Sequence, residues 1–185
     1  MRADIAAGGT FPDYELTDHT KMRRRLSDLQ GNDPMILVLA RGHYCPKDQQ
    51  QHRQLAAFQP EVAVAYNRHR HRLHRQYRRD PRVPGLGRSQ LDLPVGRRPI
   101  QKDLDIQEYT DPYNDPIVPH TFVLKPKLVI YSVYNGYWYW GRPSIEDLRR
   151  DLRAVTGEIR PDWASGRPGS GRRGEAGDRS TFLQR

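Results

Sequence analysis

The feature that most constrains this chain is the run Met35-Ile36-Leu37-Val38-Leu39-Ala40, which carries no charge and is bounded by Pro34 and Gly42. An unbroken apolar run of strand length has no face for water, so it predicts a strand covered on both sides, the central strand of a parallel sheet. The loop Arg41-Gly42-His43-Tyr44-Cys45-Pro46 follows. Beyond it, residues 47–66 carry Leu55, Phe58, Val62 and Tyr66 at near-helical spacing. Pro46 suits a first helical position, where its missing N–H would have no partner in any case. The order is strand, loop, helix, and the only cysteine of the chain, Cys45, stands at the mouth of the helix.

Elsewhere the pattern is uneven. Residues 11–29 read as a short entry strand, a polar turn and a turn led by Ser27. An acidic amphipathic stretch rich in turn formers begins at Gln101. Two β-rich runs, 118–124 and 128–134, are separated by Lys125-Pro126-Lys127, which is hairpin length. Ser144 followed by Asp147 forms a helix-start signature, and Ile145, Leu148, Leu152, Val155 and Ile159 then repeat on one helical face. From residue 164 onward, glycines at 166, 169, 171, 174 and 177 alternate with Ser, Pro and Arg, a composition that predicts a disordered tail.

These elements fit one α/β domain over residues 1–163, with a Gly/Arg-rich tail at 164–185. No stretch approaches the length of a membrane span, and MRADIAAGGT holds no apolar run of signal-peptide length, so the expectation is a cytoplasmic protein without a membrane partner. One cysteine forms no internal disulfide, which leaves it as an inert core residue or as a reagent. The net charge of +9 raises nucleic acid as a partner. That charge is concentrated, however: residues 67–100 hold ten arginines against Asp80 and Asp92, and the rest of the domain is close to neutral.

The strand, the cysteine at the mouth of a helix, and a later Val-Pro-x-Thr-Phe segment opening a hairpin that runs into a closing helix resemble the thioredoxin fold. In detail, RGHYCPKDQQQHRQL, DIQEYTDPYNDPIVPHTFVL and YNGYWYWGRPSIEDLRRDLRAV resemble redoxins of the alkyl hydroperoxide reductase and thiol-specific antioxidant family, over residues 11–66 and 101–163. The resemblance implies a central mixed sheet flanked by helices, no cofactor, and a cysteine that attacks a peroxide or a disulfide. Carried over, Cys45 is the peroxidatic thiol and Pro119 the cis-proline facing it. Three positions differ from the family pattern. Asp48 stands where a resolving cysteine would complete a Cys-x-x-Cys pair, Gly42 stands where peroxiredoxins place a threonine, and Pro119 fills the position near Thr121 where they place an arginine across the pocket. With no second thiol the implied cycle uses one cysteine, and an external thioredoxin-like or glutathione-like reductant restores it. A monomer and a homodimer are both compatible with this reading.

The residue types suit that chemistry. A helix N-terminus offers unpaired amides and a partial positive charge, which favour the nucleophilic thiolate. His43 is the second candidate catalytic residue, as a base or as a cover for the pocket. Asp48 reads as a solvated helix-start carboxylate, with a proton shuttle as its alternative. Arg142 reads as a surface guanidinium, with a reach toward the cysteine as its alternative. The run Tyr131, Tyr134, Tyr137, Trp138, Tyr139, Trp140 reads mostly as core, with some rings left for a contact surface. His69, His71 and His74 have metal-ligand spacing, but their surroundings argue against a metal.

Residues 67–100 are the anomaly. They hold ten arginines and four prolines with neither helical nor strand period, where the fold requires a further strand and helix. Their composition resembles an off-frame reading of GC-rich DNA, so a compensated frameshift is expected, and an alternating apolar segment in another frame would be its signature. The competing class is a basic nucleic-acid-binding arm within a redoxin-like scaffold, and a third reading is an inactive, damaged redoxin-like copy that folds poorly.

Overall fold

A computed structural model describes residues 1–17, 22–42, 44–65, 97–111, 113, 116–136 and 141–161. His43, the basic segment as far as residue 96 with its histidine cluster and expected frameshift, the rings at 137–140 and the tail at 164–185 lie outside these residues. No helix among the described residues is long and apolar enough to cross a membrane.

The order is β1 (Glu15–Thr17), β2 (Arg23–Arg25), α1 (Leu26–Gln30), β3 (Met35–Leu39), α2 (Pro46–Ala65), α3 (Arg97–Leu104), β4 (His120–Lys125), β5 (Val129–Asn135) and α4 (Ile145–Ile159). The first two strands form a small antiparallel hairpin, and the main sheet has the order β3-β4-β5. The apolar run at 35–40 forms a strand as expected, but its place is different. It pairs antiparallel with β4, and β4 is the strand with a described neighbour on each side. The parallel neighbour read for β3 is not among the described strands. Centrality follows burial on both edges and faces, and β4 is buried from His120 through Leu124, whereas Met35, Ile36 and Val38 of β3 are half-buried.

The hairpin is as expected, with one difference at its start. Ile117 makes an isolated bridge to Gln107, and the strand proper begins at His120 because Pro119 has no N–H to donate. The 3-10 turn Pro126–Leu128 joins the strands, and buried Gln30 of α1 accepts the Leu128 N–H at 2.8 Å while donating to Lys125 O at 2.7 Å.

Alternation along β4 divides the core. Phe122 and Leu124 join Phe11, Leu26, Leu37 and Ile130 on one face, while Val123 joins Phe58, Leu148, Leu152 and Val155 beneath α2 and α4 on the other. The α4 helix starts with a complete capping box: Ser144 Oγ accepts the Asp147 N–H at 3.1 Å and the Asp147 carboxylate accepts the Ser144 N–H at 3.0 Å.

Candidate active site around Cys45

Cys45 directly precedes α2. Its N–H donates to Gly42 O at 3.1 Å, closing a turn, and its carbonyl accepts the Gln49 N–H at 3.1 Å, the first bond of the helix. The thiol is buried, with 7% of the residue exposed. The turn is anchored from outside the helix by Arg41, which donates from Nη2 to Glu108 Oε1 at 3.0 Å and approaches Glu108 Oε2 from Nε at 2.9 Å.

In the first turn of α2, Asp48 corrects the sequence reading. It is 1% exposed, not solvated. One carboxylate oxygen, Oδ2, accepts from the Arg41 N–H at 2.6 Å and the Gly42 N–H at 3.4 Å. The other, Oδ1, accepts from Arg142 at 2.5 Å from Nη2 and 3.2 Å from Nε. A buried carboxylate is tolerated only when such donors replace its hydration.

Arg142 corrects the second reading. Only 12% of its side chain is exposed. Besides its hydrogen bonds to Asp48 it donates from Nη1 to Gly136 O, and Nη2 points toward Cys45 Sγ at 4.0 Å. The surface reading followed the usual preference of arginine for water; the buried carboxylate of Asp48 overrides it.

Two glycines allow the close approach here, Gly136 beside the guanidinium and Gly141 against the Asn135 backbone. A Cβ on Gly136 would lie 2.7 Å from Arg142 Nη1 and 3.0 Å from the Pro119 ring. Gly141 has φ +86°, and a Cβ there would meet Asn135 O at 1.7 Å. The sequence reading singled out neither as part of the site, although the Asn135-Gly136 and Gly141-Arg142 dipeptides mark the turns that bring Arg142 in.

Pro119 is buried at the same place, its carbonyl accepting the Gly136 N–H at 2.7 Å. Its expected cis geometry is not found, since no peptide bond among the described residues is cis. Trans is the ordinary state of an X–Pro bond. Beyond Pro119, His120 is 2% exposed. Its Nδ1 lies 2.7 Å from Val118 O, and burial, reinforced by the positive charge of Arg142, lowers its pKa below the ordinary 6.5. Thr121 is also buried and accepts from Gln51 Nε2 at 2.8 Å, which ties α2 to β4 behind the thiol. The site thus brings together Cys45, Asp48 and Arg142, with Pro119 and Gly136 as its wall.

Neither a protein-family model nor a curated protein matches the chain. Among solved structures, the crystal structure of peroxidoxin BcpB from Mycobacterium tuberculosis matches with a TM-score of 0.54, covering 82% of this chain and 97% of that one. The fold is thioredoxin-like. At 18% identity the likeness speaks for the thioredoxin-like scaffold alone. The chemistry rests on the residues of this site. Within the scaffold, Cys45 occupies the start of a helix whose other end runs beneath the sheet, and Arg142 arrives from the loop between β5 and α4.

Proposed function

We propose that this protein is a one-cysteine, peroxiredoxin-like thiol oxidoreductase acting through Cys45. The observation that carries the reading is the Arg142 guanidinium 4.0 Å from the Cys45 sulfur at the start of α2. A cation and a helix N-terminus both favour the thiolate, and the same cation stands ready for negative charge that develops on a departing oxygen. In the proposed reaction the thiolate sulfur attacks one oxygen of a peroxide, a sulfur–oxygen bond forms, and the O–O bond breaks. The leaving oxygen takes a proton and departs as water or an alcohol. Cys45 is oxidised by two electrons to a sulfenic acid while the peroxide is reduced.

The chain has a single cysteine, so reduction is intermolecular. A first external thiol condenses with the sulfenic acid, releasing water and leaving a mixed disulfide, and a second thiol displaces Cys45 as its thiol. A thioredoxin-like or glutathione-like donor in a reducing, cytoplasmic setting fits this cycle. Attack on a small disulfide uses the same thiolate and enters at the mixed-disulfide step.

Stopped-flow measurement of thiol loss with hydrogen peroxide, an alkyl hydroperoxide and a small disulfide tests the proposal and ranks the oxidants. Thiol loss well above the rate of free cysteine is expected, with one oxygen added per chain by mass in the peroxide arms and none in Cys45→Ser. Loss no faster than free cysteine with every oxidant would overturn it.

A further inference from the structure

The reaction proposed above leaves Asp48 unused, although it is among the most deeply buried carboxylates of the described residues. Its two oxygens serve different parts of the molecule. Oδ2 holds the backbone amides of Arg41 and Gly42, in the turn that presents Cys45, and Oδ1 holds Arg142, which comes from the loop after β5. This division specifies the residue type. Asparagine has one acceptor oxygen, so whichever way its amide were turned, an NH2 group would face either the two backbone N–H donors or the guanidinium. A carboxylate alone satisfies both sets.

The guanidinium in turn is pinned at both ends, by Gly136 O on one side and by Asp48 on the other, and this leaves Nη2 facing Cys45 Sγ. We propose that Asp48 is a positioning residue that acts on Cys45 through Arg142, locking the turn of the cysteine and the guanidinium into one unit. The proposal rests on the reading of Cys45 as a reactive thiol. It is separable from the peroxide reaction, because it concerns only how the nucleophile is held.

The two ways in which Asp48 acts on the sulfur have opposite signs. As a bare negative charge it opposes the thiolate, so its removal speeds any reaction of that thiolate. As the anchor of Arg142 it favours the thiolate, so its removal slows the reaction. For Asp48 to act in this way the second effect must be the larger one, and the ground for it is the place of Nη2, 4.0 Å from Sγ.

The test is the rate of alkylation of Cys45 by iodoacetamide at neutral pH in the full-length folded protein, with folding of each variant checked by circular dichroism. Asp48→Asn is expected to slow alkylation by about threefold or more, because the released guanidinium no longer pairs with the sulfur. Asp48→Glu keeps the charge but displaces both oxygens by one methylene; it too is expected to slow the reaction and stands in if the asparagine variant does not fold. In an Arg142→Met background, Asp48→Asn no longer slows alkylation, whereas a merely structural role would slow it in both backgrounds. Alkylation of Asp48→Asn as fast as or faster than the parent, unchanged alkylation of Asp48→Glu, or a parent Cys45 that resists alkylation when folded would overturn the proposal. A parent protein that alkylates readily, shows the expected slowing, and is inert to peroxide would sink the peroxidase reading and leave this inference standing.

Discussion

Two buried polar residues, Asp48 and His120, have opposite demands. The burial of Asp48 is offset by the four donors that surround its oxygens. His120 is buried with Nδ1 near Val118 O and with Nε2 lacking a hydrogen-bond partner among the described residues, and its pKa lies below 6.5 chiefly because burial penalises the charged ring. In the unfolded chain this histidine takes up a proton near its ordinary value, while in the native state it resists until lower pH. Its contribution is therefore present above about pH 6.5 and is lost as pH falls from there toward the depressed native value. One such group changes stability by at most about 1.4 kcal/mol per pH unit. Urea unfolding at pH 7.5 and 5.5 is expected to show a larger loss in the parent than in His120→Leu, by up to that slope; equal losses would contradict it. At this scale the sequence pointed to Cys45 through its place between an apolar strand and Pro46. The burial of Asp48 and Arg142 was not legible, because each residue type ordinarily seeks water and only the other one, distant in sequence, reverses that preference.

At the scale of elements, α4 was the most legible part of the chain. Its period places Leu148, Leu152 and Val155 on one buried face, and its capping signal is local. Ser144→Ala is expected to cost about 1 kcal/mol, read as a lower denaturant midpoint at unchanged slope, because the Asp147 N–H loses its acceptor. The hairpin of β4 and β5 was equally plain from its β-branched runs around Lys125-Pro126-Lys127. The β1–β2 pair was only half seen. The short entry strand expected within residues 11–29 is found at Glu15–Thr17, but Arg23-Arg24-Arg25 carries no strand signal of its own and is held by its register and by the Arg23–Glu15 ion pair at 2.9 Å. The α3 helix was missed because it begins inside an arginine-rich composition that hides its period. The central position was assigned to β3 on hydrophobicity, which reports burial of a face and says nothing of which strand has two neighbours.

For the whole molecule, β4 is the element that both halves of the core share. Phe122 and Leu124 belong to the cluster on one side and Val123 to the cluster beneath α2 and α4 on the other, so the two clusters are expected to lose their order together. Phe122→Ala, at about 3–5 kcal/mol, and Leu152→Ala, at about 2–5 kcal/mol, act on opposite faces. Each is expected to lower the far-UV midpoint and the midpoint for loss of Cys45 protection together, in a single transition; separate midpoints in either variant would show that the two clusters unfold independently. What the sequence determined by itself was local: an apolar strand feeding a helix through Cys45, a hairpin, and a capped amphipathic helix, each written in spacing over a few residues. What only the tertiary structure decided was the surroundings of the thiol. Arg142 lies 97 residues from Cys45 along the chain. It reaches the sulfur because Gly136 and Gly141 let the chain turn closely and because Asp48 offers a buried charge to meet it, and a pairing of that kind is set by distance in space, which local spacing does not record.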